Sequence, residues 1–197
     1  DIQPEDIQEL FNQLDQLTEK DILVISGSIP STLPDTMYEQ IMERVQEKKI
    51  KVVVDATNNL LLKVLKYKPF LIKPNNHELG EIFGVELKTR DEVVEYAKRL
   101  QKMGAVNVLV SMAGEGAVLV AEDGSIFKTP APKGVVKNSV GAGDSMVAGF
   151  IAGYLDSGNY VEAFKMGVCT GSASAFSDKL ATKAEVEALK SCTHFNL

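Results

Sequence analysis

The sequence VKNSVGAGDSMVAGF, at residues 136–150, decides the fold. In it Gly141, Ala142, Gly143 and Asp144 stand directly before an apolar run with the pattern of a long helix. Small residues at the start of a helix let a ligand approach the backbone. The free N–H groups of the first turn, together with the helix dipole, favour negative charge there. This turn therefore predicts a site that binds a phosphate or another oxyanion.

Asp144 is unexpected in a site that attracts anions, because a carboxylate repels them. One interpretation is that Asp144 takes a proton from an attacking hydroxyl group. The other is that it is an ordinary acidic residue of a first helical turn, which the helix dipole stabilises by up to about 1 kcal/mol. The turn by itself leaves both interpretations open.

On either side of this turn, short apolar runs alternate with helical patterns. The runs at residues 21–25, 51–54, 70–72 and 106–110 predict buried strands, and helical stripes separate them. A hairpin is expected over residues 116–128. Such alternation predicts an α/β fold, with a mostly parallel sheet covered by helices on both faces, and we expect residues 1–197 to form one domain. Ligands of such sheets bind beyond the carboxyl ends of the strands.

Lys73, Asn75 and Glu78 follow one of these predicted strands. Asn75 and Glu78 have the spacing of a helix capping box, which is the favoured interpretation of the pair taken by itself. An amide and a carboxylate on one helical turn also suit the water shell of Mg²⁺. Lys73 could reach a phosphate as a point charge, although a lysine at a strand end is more often solvated.

Two other strand ends carry polar or glycine-rich segments. Ser26 and Ser28 flank a glycine, and their hydroxyl groups could hold a polar substrate or bond to the local backbone in a turn. Ser111 and Gly116 bound a loop that could form the wall of a nucleotide site, although a simple chain reversal is favoured for the loop in isolation.

Composition excludes several classes of protein. The 197 residues are 45% hydrophobic and 24% charged, as in a globular domain, and 27 acidic against 21 basic residues give a net charge of −6. That charge argues against nucleic acid as a partner. The sequence contains no Gly-Lys dipeptide and therefore no Walker A loop. In the dinucleotide-binding fingerprint GxGxxG, Met146 would occupy the position of the last glycine. Two cysteines fit a reducing, cytoplasmic compartment, and with two histidines and no CxxC they build no zinc site.

The longest apolar run, residues 146–155, is too short to span a membrane, so no membrane association is expected. It contains Gly149 and Gly153 in the spacing GxxxG. We expect this pair to allow close packing of the helix backbone against the sheet rather than to join helices in a membrane.

The motifs and their order together resemble the PfkB (ribokinase-like) carbohydrate kinases, over essentially the whole chain. Residues 136–150 are similar to the C-terminal signature of that family. Many relatives have Asp-Thr where this sequence has Asn138 and Ser139, and the departure resembles the phosphosugar branch of the family. It puts in doubt, for this chain, the monovalent-cation site that some relatives build with that Asp. Ala113 replaces a glycine that is usual in the family. The implied fold is a ribokinase-like, three-layer α/β/α sandwich.

The resemblance also implies a role for each motif. Asp144 would be the base, and the N–H groups of Gly141, Ala142 and Gly143 would form an anion hole for the transferred phosphoryl group. By the same resemblance, Asn75 and Glu78 act on Mg²⁺ through water, and Lys73 and Asn75 lie near the phosphates of ATP. Ser111 and Gly116 line the nucleotide pocket. Ser28, with Ser26 beside it, faces the sugar.

The implied reaction is the ATP-dependent and Mg²⁺-dependent phosphorylation of a sugar phosphate. The expected substrate is fructose 1-phosphate, converted to fructose 1,6-bisphosphate, with tagatose 6-phosphate or another hexose phosphate as the alternative. The family begins with a further N-terminal third, which supplies a lid and the first strands, and we expect that portion to be absent here. Homodimers are expected only of the full-length protein, and a nucleotide-binding fragment without catalysis is the second hypothesis.

Overall fold

A computed structural model describes residues 2–195 and 197 of the chain. In these residues six strands form one sheet, in which every strand lies beside its neighbours in sequence. The strands are β1 (Ile22–Ser26), β2 (Lys51–Asp55), β3 (Leu71–Ile72), β4 (Asn107–Ser111), β5 (Ala117–Val120) and β6 (Ile126–Thr129). Strands β1 to β4 run parallel, and β5 and β6 form the predicted antiparallel hairpin. The prediction of a mostly parallel sheet is confirmed.

Eight helices connect and cover these strands in the described part of the chain. They are α1 (Pro4–Gln16), α2 (Met37–Val45), α3 (Asn58–Val64), α4 (Asn76–Phe83), α5 (Arg90–Lys102), α6 (Ala142–Ser157), α7 (Tyr160–Phe176) and α8 (Lys183–Cys192). One 3₁₀ turn follows helix α2. That turn ends at Lys49, which has a left-handed backbone with φ of 56°.

The inner strands β2 to β5 are buried on both faces of the sheet. Successive side chains of each strand point to opposite sides, so they enter two different cores. Val52 and Val54 pack with the side chains of α1 to α5, whereas Val53 packs with those of α6 and α7. Helix α8 adds a smaller cluster against α7, which includes Cys169 and Val186. The result is the expected three-layer α/β/α arrangement, with two apolar cores separated by the sheet.

The two glycines of the GxxxG pair do not pack against the sheet, and that expectation is wrong. Both lie where α6 crosses α7. A side chain on Gly149 would meet the carbonyl oxygen of Met166 at 2.7 Å, and one on Gly153 would meet the carbonyl oxygen of Glu162 at 2.9 Å. The pattern correctly indicates a close backbone approach, but the partner is a helix rather than a strand.

Across residues 2–195 and 197, no helix combines the length and the apolar character that a membrane crossing requires.

Candidate active site

The register of the parallel strands brings the polar motifs to one edge of the sheet. Ser26, the last residue of β1, lies opposite Asp55, the last residue of β2. Asp55 is followed across the sheet by the carboxyl end of β3, where Lys73 donates its backbone N–H to the carbonyl oxygen of Val54. Ser111 at the end of β4 continues the row, and Asn75 forms an isolated parallel bridge with it. The predicted convergence of strand-end motifs is therefore found.

Helix α6 begins above this edge with the glycine-rich turn. Gly141 precedes the helix with φ of 78°, in the left-handed region that favours glycine. Gly143 lies close to the ammonium group of Lys73, since a Cβ on it would be 3.2 Å from the Nζ atom of that lysine. The N–H of Ala142 donates to the carbonyl oxygen of Ser139 at 3.2 Å. To take part in an anion hole, this N–H must be shared with the ligand or released from Ser139.

Lys73 and Asp55 form an ion pair directly below that turn. The Nζ atom of Lys73 lies 3.3 Å from Oδ1 of Asp55, and the two side chains are only 8% and 18% exposed. The general expectation that a strand-end lysine is solvated is thus wrong for Lys73. Its ammonium group stands within reach of the turn that would receive a phosphate, as the phosphate role requires.

Asp55 is the ionisable group of the site with the most perturbed environment. Burial raises the pKa of Asp55 above its ordinary value. Lys73 lowers that pKa in part, whereas the charges of Asp144 and Glu78 raise it further. The charges of Asp144 and Glu78 thus act on Asp55, which is itself paired with the ammonium group of Lys73.

Asp144 lies in the first turn of α6 and is exposed. The hydroxyl group of Ser26 donates to its Oδ1 atom at 3.1 Å. Together with Asp55 these residues form the polar end of an open groove of about 490 Å³. The rest of the groove is apolar and consists of side chains from β1 and α6, namely Val24, Val147, Ala148, Ile151, Ala152 and Leu155.

Asn75 and Glu78 form the predicted capping box at the start of α4. The side chain of Asn75 accepts from the N–H of Glu78, and the side chain of Glu78 accepts from the N–H of Asn75, both at 2.8 Å. Each of these hydrogen bonds leaves lone pairs on the oxygens, so the cap and a water-mediated contact to Mg²⁺ are compatible. Within residues 2–195 and 197 no three His, Cys, Asp or Glu side chains form a direct metal site.

The remaining site candidates differ in how far the structure accounts for them. Ser28 is exposed beside the turn that follows β1. Gly116 is buried with φ of 98°, and a Cβ there would clash with the carbonyl oxygen of Thr129, so packing by itself requires this glycine. Ala113 adopts φ of 46°, a conformation that glycine adopts without cost, in line with the glycine usual in the family. Their proposed contacts with ligands stay predictions.

Sequence reasoning did not single out Asp55 or Tyr38. Asp55 is the last residue of a buried strand and lies beside Lys73. Its place at a strand end is the feature of the sequence that could have identified it as a site residue. Tyr38 of α2 donates its buried hydroxyl group to the carbonyl oxygen of Gly27 at 3.0 Å, and so holds the turn after β1. A single tyrosine on the apolar stripe of a helix gives no such signal.

The fold and the site define a class: a doubly wound α/β protein with a glycine-rich turn, a buried lysine and a carboxylate at one edge of its sheet. Comparison with known families gives the particular assignment. Residues 1–186 match the model of the pfkB family of carbohydrate kinases, and the chain belongs to that family.

Individual relatives agree with this assignment. The chain is 47% identical over 188 residues to the 1-phosphofructokinase of Bacillus subtilis, covering 95% of this chain and 62% of that protein. It is 35% identical to the D-tagatose-1-phosphate kinase of Bacillus licheniformis, covering 91% of this chain and 59% of that protein. The structure of phosphofructokinase-2 from Escherichia coli in complex with fructose-6-phosphate superimposes with a TM-score of 0.87 at 26% identity, covering 96% of this chain and 62% of that one. The chain thus spans about 60% of the length of these relatives.

Proposed function

We propose that the protein transfers the γ-phosphoryl group of ATP to the 6-hydroxyl group of fructose 1-phosphate. The observation that carries the proposal is the meeting of Asp144, Lys73 and the glycine-rich turn at one end of the sheet. Phosphoryl transfer needs positioning and charge stabilisation more than covalent chemistry, and this set provides both. Family membership and the 47% identity to a 1-phosphofructokinase support the choice of substrate.

In the proposed reaction Asp144 accepts the proton of the acceptor hydroxyl group. The oxygen of that group bonds to the γ-phosphorus, the bond from this phosphorus to ADP breaks, and ADP leaves with the electron pair. Lys73 and the N–H groups of Gly141 and Gly143 stabilise the negative charge on the transferred group. The N–H of Ala142 joins them once it leaves Ser139.

Mg²⁺, when bound, neutralises charge on the phosphate oxygens. Asn75 and Glu78 hold its water shell in this proposal, and the negative charges of Asp144 and Glu78, which act on Asp55, favour a cation nearby. Ser111 and Gly116 stand beside the nucleotide, and Ser28 faces the sugar.

Tagatose 1-phosphate is the second candidate substrate, because the D-tagatose-1-phosphate kinase of Bacillus licheniformis is 35% identical to this chain. Fructose 1-phosphate and tagatose 1-phosphate differ only in the configuration of one hydroxyl group. Tagatose 6-phosphate, the alternative expected from the sequence, presents its phosphate at the position that the proposed reaction phosphorylates.

The test is an ADP-release assay on the full-length protein with MgATP and a panel of fructose 1-phosphate, tagatose 1-phosphate, tagatose 6-phosphate and fructose 6-phosphate. We expect the highest kcat/KM with fructose 1-phosphate. Asp144→Asn should lower kcat about 10²- to 10⁴-fold, because it removes the base. Asp156→Asn, an exposed acid near the other end of α6, serves as the matched control and should leave kcat unchanged. Lack of turnover with every sugar phosphate contradicts the proposal.

A further inference from the structure

The hydrogen bond between Ser26 and Asp144 joins two residues 118 positions apart in the sequence. Its donor belongs to the last residue of β1, and its acceptor belongs to the first turn of α6. The bond therefore connects the carboxylate that the proposed reaction uses as a base to the rigid edge of the sheet.

Ser26 itself is firmly held. Its strand pairs with β2, and the next N–H, that of Gly27, donates to the carbonyl oxygen of Asp55 at 3.0 Å. The carbonyl group of Gly27 accepts from the hydroxyl group of Tyr38, a buried residue of α2. Hydrogen bonds thus hold the backbone both before and after Ser26, so its hydroxyl group does not belong to a free loop.

A hydroxyl group has one hydrogen to donate. In Ser26 this hydrogen is directed to Oδ1 of Asp144, so Ser26 could only accept a hydrogen bond from a sugar. The same bond restricts the rotation of the carboxylate and leaves Oδ2 available to receive a proton. Such orientation matters, because misplacing a reacting group by about 1 Å costs roughly 10²-fold in rate.

We propose that Ser26 is a positioning residue that orients Asp144 for proton abstraction, rather than a residue that binds the sugar. The proposal rests on the proposed function, since it assigns Ser26 a task in the same phosphoryl transfer. Ser26 acts when the acceptor hydroxyl approaches: it keeps Oδ1 occupied, the proton moves to Oδ2, and the oxygen left behind attacks the γ-phosphorus as ADP departs.

The test measures kcat and both KM values for the full-length protein with fructose 1-phosphate and MgATP. Ser26→Ala should lower kcat about 10- to 100-fold and leave both KM values within about twofold. Ser26→Thr keeps the hydroxyl group and should recover most of the lost rate. Ser31→Ala, an exposed serine five residues further along the chain, controls for unspecific effects and should change nothing.

The decisive comparison adds Ser26→Ala to Asp144→Asn. If Ser26 acts through Asp144, adding Ser26→Ala to the Asp144→Asn variant lowers kcat less than about twofold, because the carboxylate is already absent. If Ser26→Ala raises the KM for the sugar, or costs as much in the Asp144→Asn variant as in the wild-type protein, Ser26 binds substrate and the inference is wrong. A wild-type protein without activity on any sugar phosphate overturns the proposed function itself, which is a different result from additive losses in an active enzyme.

Discussion

The ammonium group of Lys73 and the carboxylate of Asp55 are both largely withdrawn from water. Burying such a pair is costly unless the geometry is good, and buried ion pairs are weak evidence for a gain in stability. Their position gives a better explanation, because the Nζ atom of Lys73 is held below Gly143, where a phosphate would enter. We infer that this pair serves the site at some cost to the stability of the fold.

This cost predicts a pH dependence of stability. The pKa of Asp55 is raised in the folded chain, mainly by burial, above the value near 4 of an unfolded aspartate. The folded protein thus holds the proton more tightly than the unfolded chain does. The contribution of Asp55 to stability is therefore complete below about pH 4 and is lost as the pH rises through the folded pKa. Asp55→Asn should remove this slope, which is at most about 1.4 kcal/mol per pH unit.

Urea unfolding of wild type and Asp55→Asn between about pH 3.5 and 7 measures the difference directly. Lys73→Met should change the slope of stability against pH in the opposite direction. It removes the ammonium group that lowers the pKa of Asp55, so this pKa rises further and the slope steepens. Parallel pH profiles for wild type and Asp55→Asn would show that Asp55 titrates alike in the folded and unfolded states.

Among the elements, helices α6 and α7 are the most closely packed pair. Gly149 and Gly153 on α6, and Gly167 and Gly171 on α7, all lie at this crossing, and each would place a Cβ within 3.0 Å of an atom of the other helix. This crossing fixes the position of α6, whose first turn carries Asp144. The glycines therefore connect the packing of the two helices with the placement of Asp144, the proposed base.

Gly149→Ala tests this connection. The new methyl group would lie 2.7 Å from the carbonyl oxygen of Met166 and still closer to Oγ1 of Thr170, which itself donates to that carbonyl group. Since backbone cannot move aside as a flexible side chain can, we expect a loss of about 1–3 kcal/mol in the free energy of unfolding despite the better helix propensity of alanine. Urea unfolding measures the loss, and Gly114→Ala is the control, because a Cβ there meets nothing within 4 Å. Equal stabilities of the two variants would show that the helices separate easily.

The elements also show how far sequence reasoning reaches. Capping boxes follow from local sequence: Asn75, Thr89 and Thr182 are each followed three residues later by Glu, and the boxes are present at the starts of α4, α5 and α8. Strand ends were readable as well, because a parallel sheet collects them at one edge. Contacts between distant elements were not: neither the partner of the α6 glycines nor the bond from Ser26 to Asp144 follows from local spacing. Such contacts depend on the order of the strands and on helix crossing.

At the scale of the whole molecule, a net charge of −6 does not prevent anion binding. The proposed phosphate site consists of backbone N–H groups and one buried lysine, so local potential rather than total charge determines binding there. The groove beside Asp144, by contrast, is open, and Val24 and Leu155 along it are 45% and 66% exposed. Water thus has free access to the place where the sugar hydroxyl would react.

These two features predict that the 197-residue chain by itself binds MgATP but does not turn it over. At a ligand concentration of 100 Kd, binding adds about 2.7 kcal/mol, which corresponds to a rise in Tm of roughly 5–10 °C for a chain of this size. Sugar-dependent release of ADP should be negligible, because nothing in the described residues closes the groove against water. Thermal unfolding and an ADP-release assay on the same preparation measure the two quantities.

Variants separate the causes of these two results. Lys73→Met should abolish most of the rise in Tm, because the phosphates lose their buried cation, whereas Asp144→Asn should keep it, because a base for the sugar contributes nothing to holding ATP. Sugar-dependent turnover by the 197-residue chain, at a rate near that of the full-length protein, would mean that the open groove suffices for catalysis. A chain that melts at the same temperature with and without MgATP would instead show that the glycine-rich turn and Lys73 do not form a phosphate site without further protein around them.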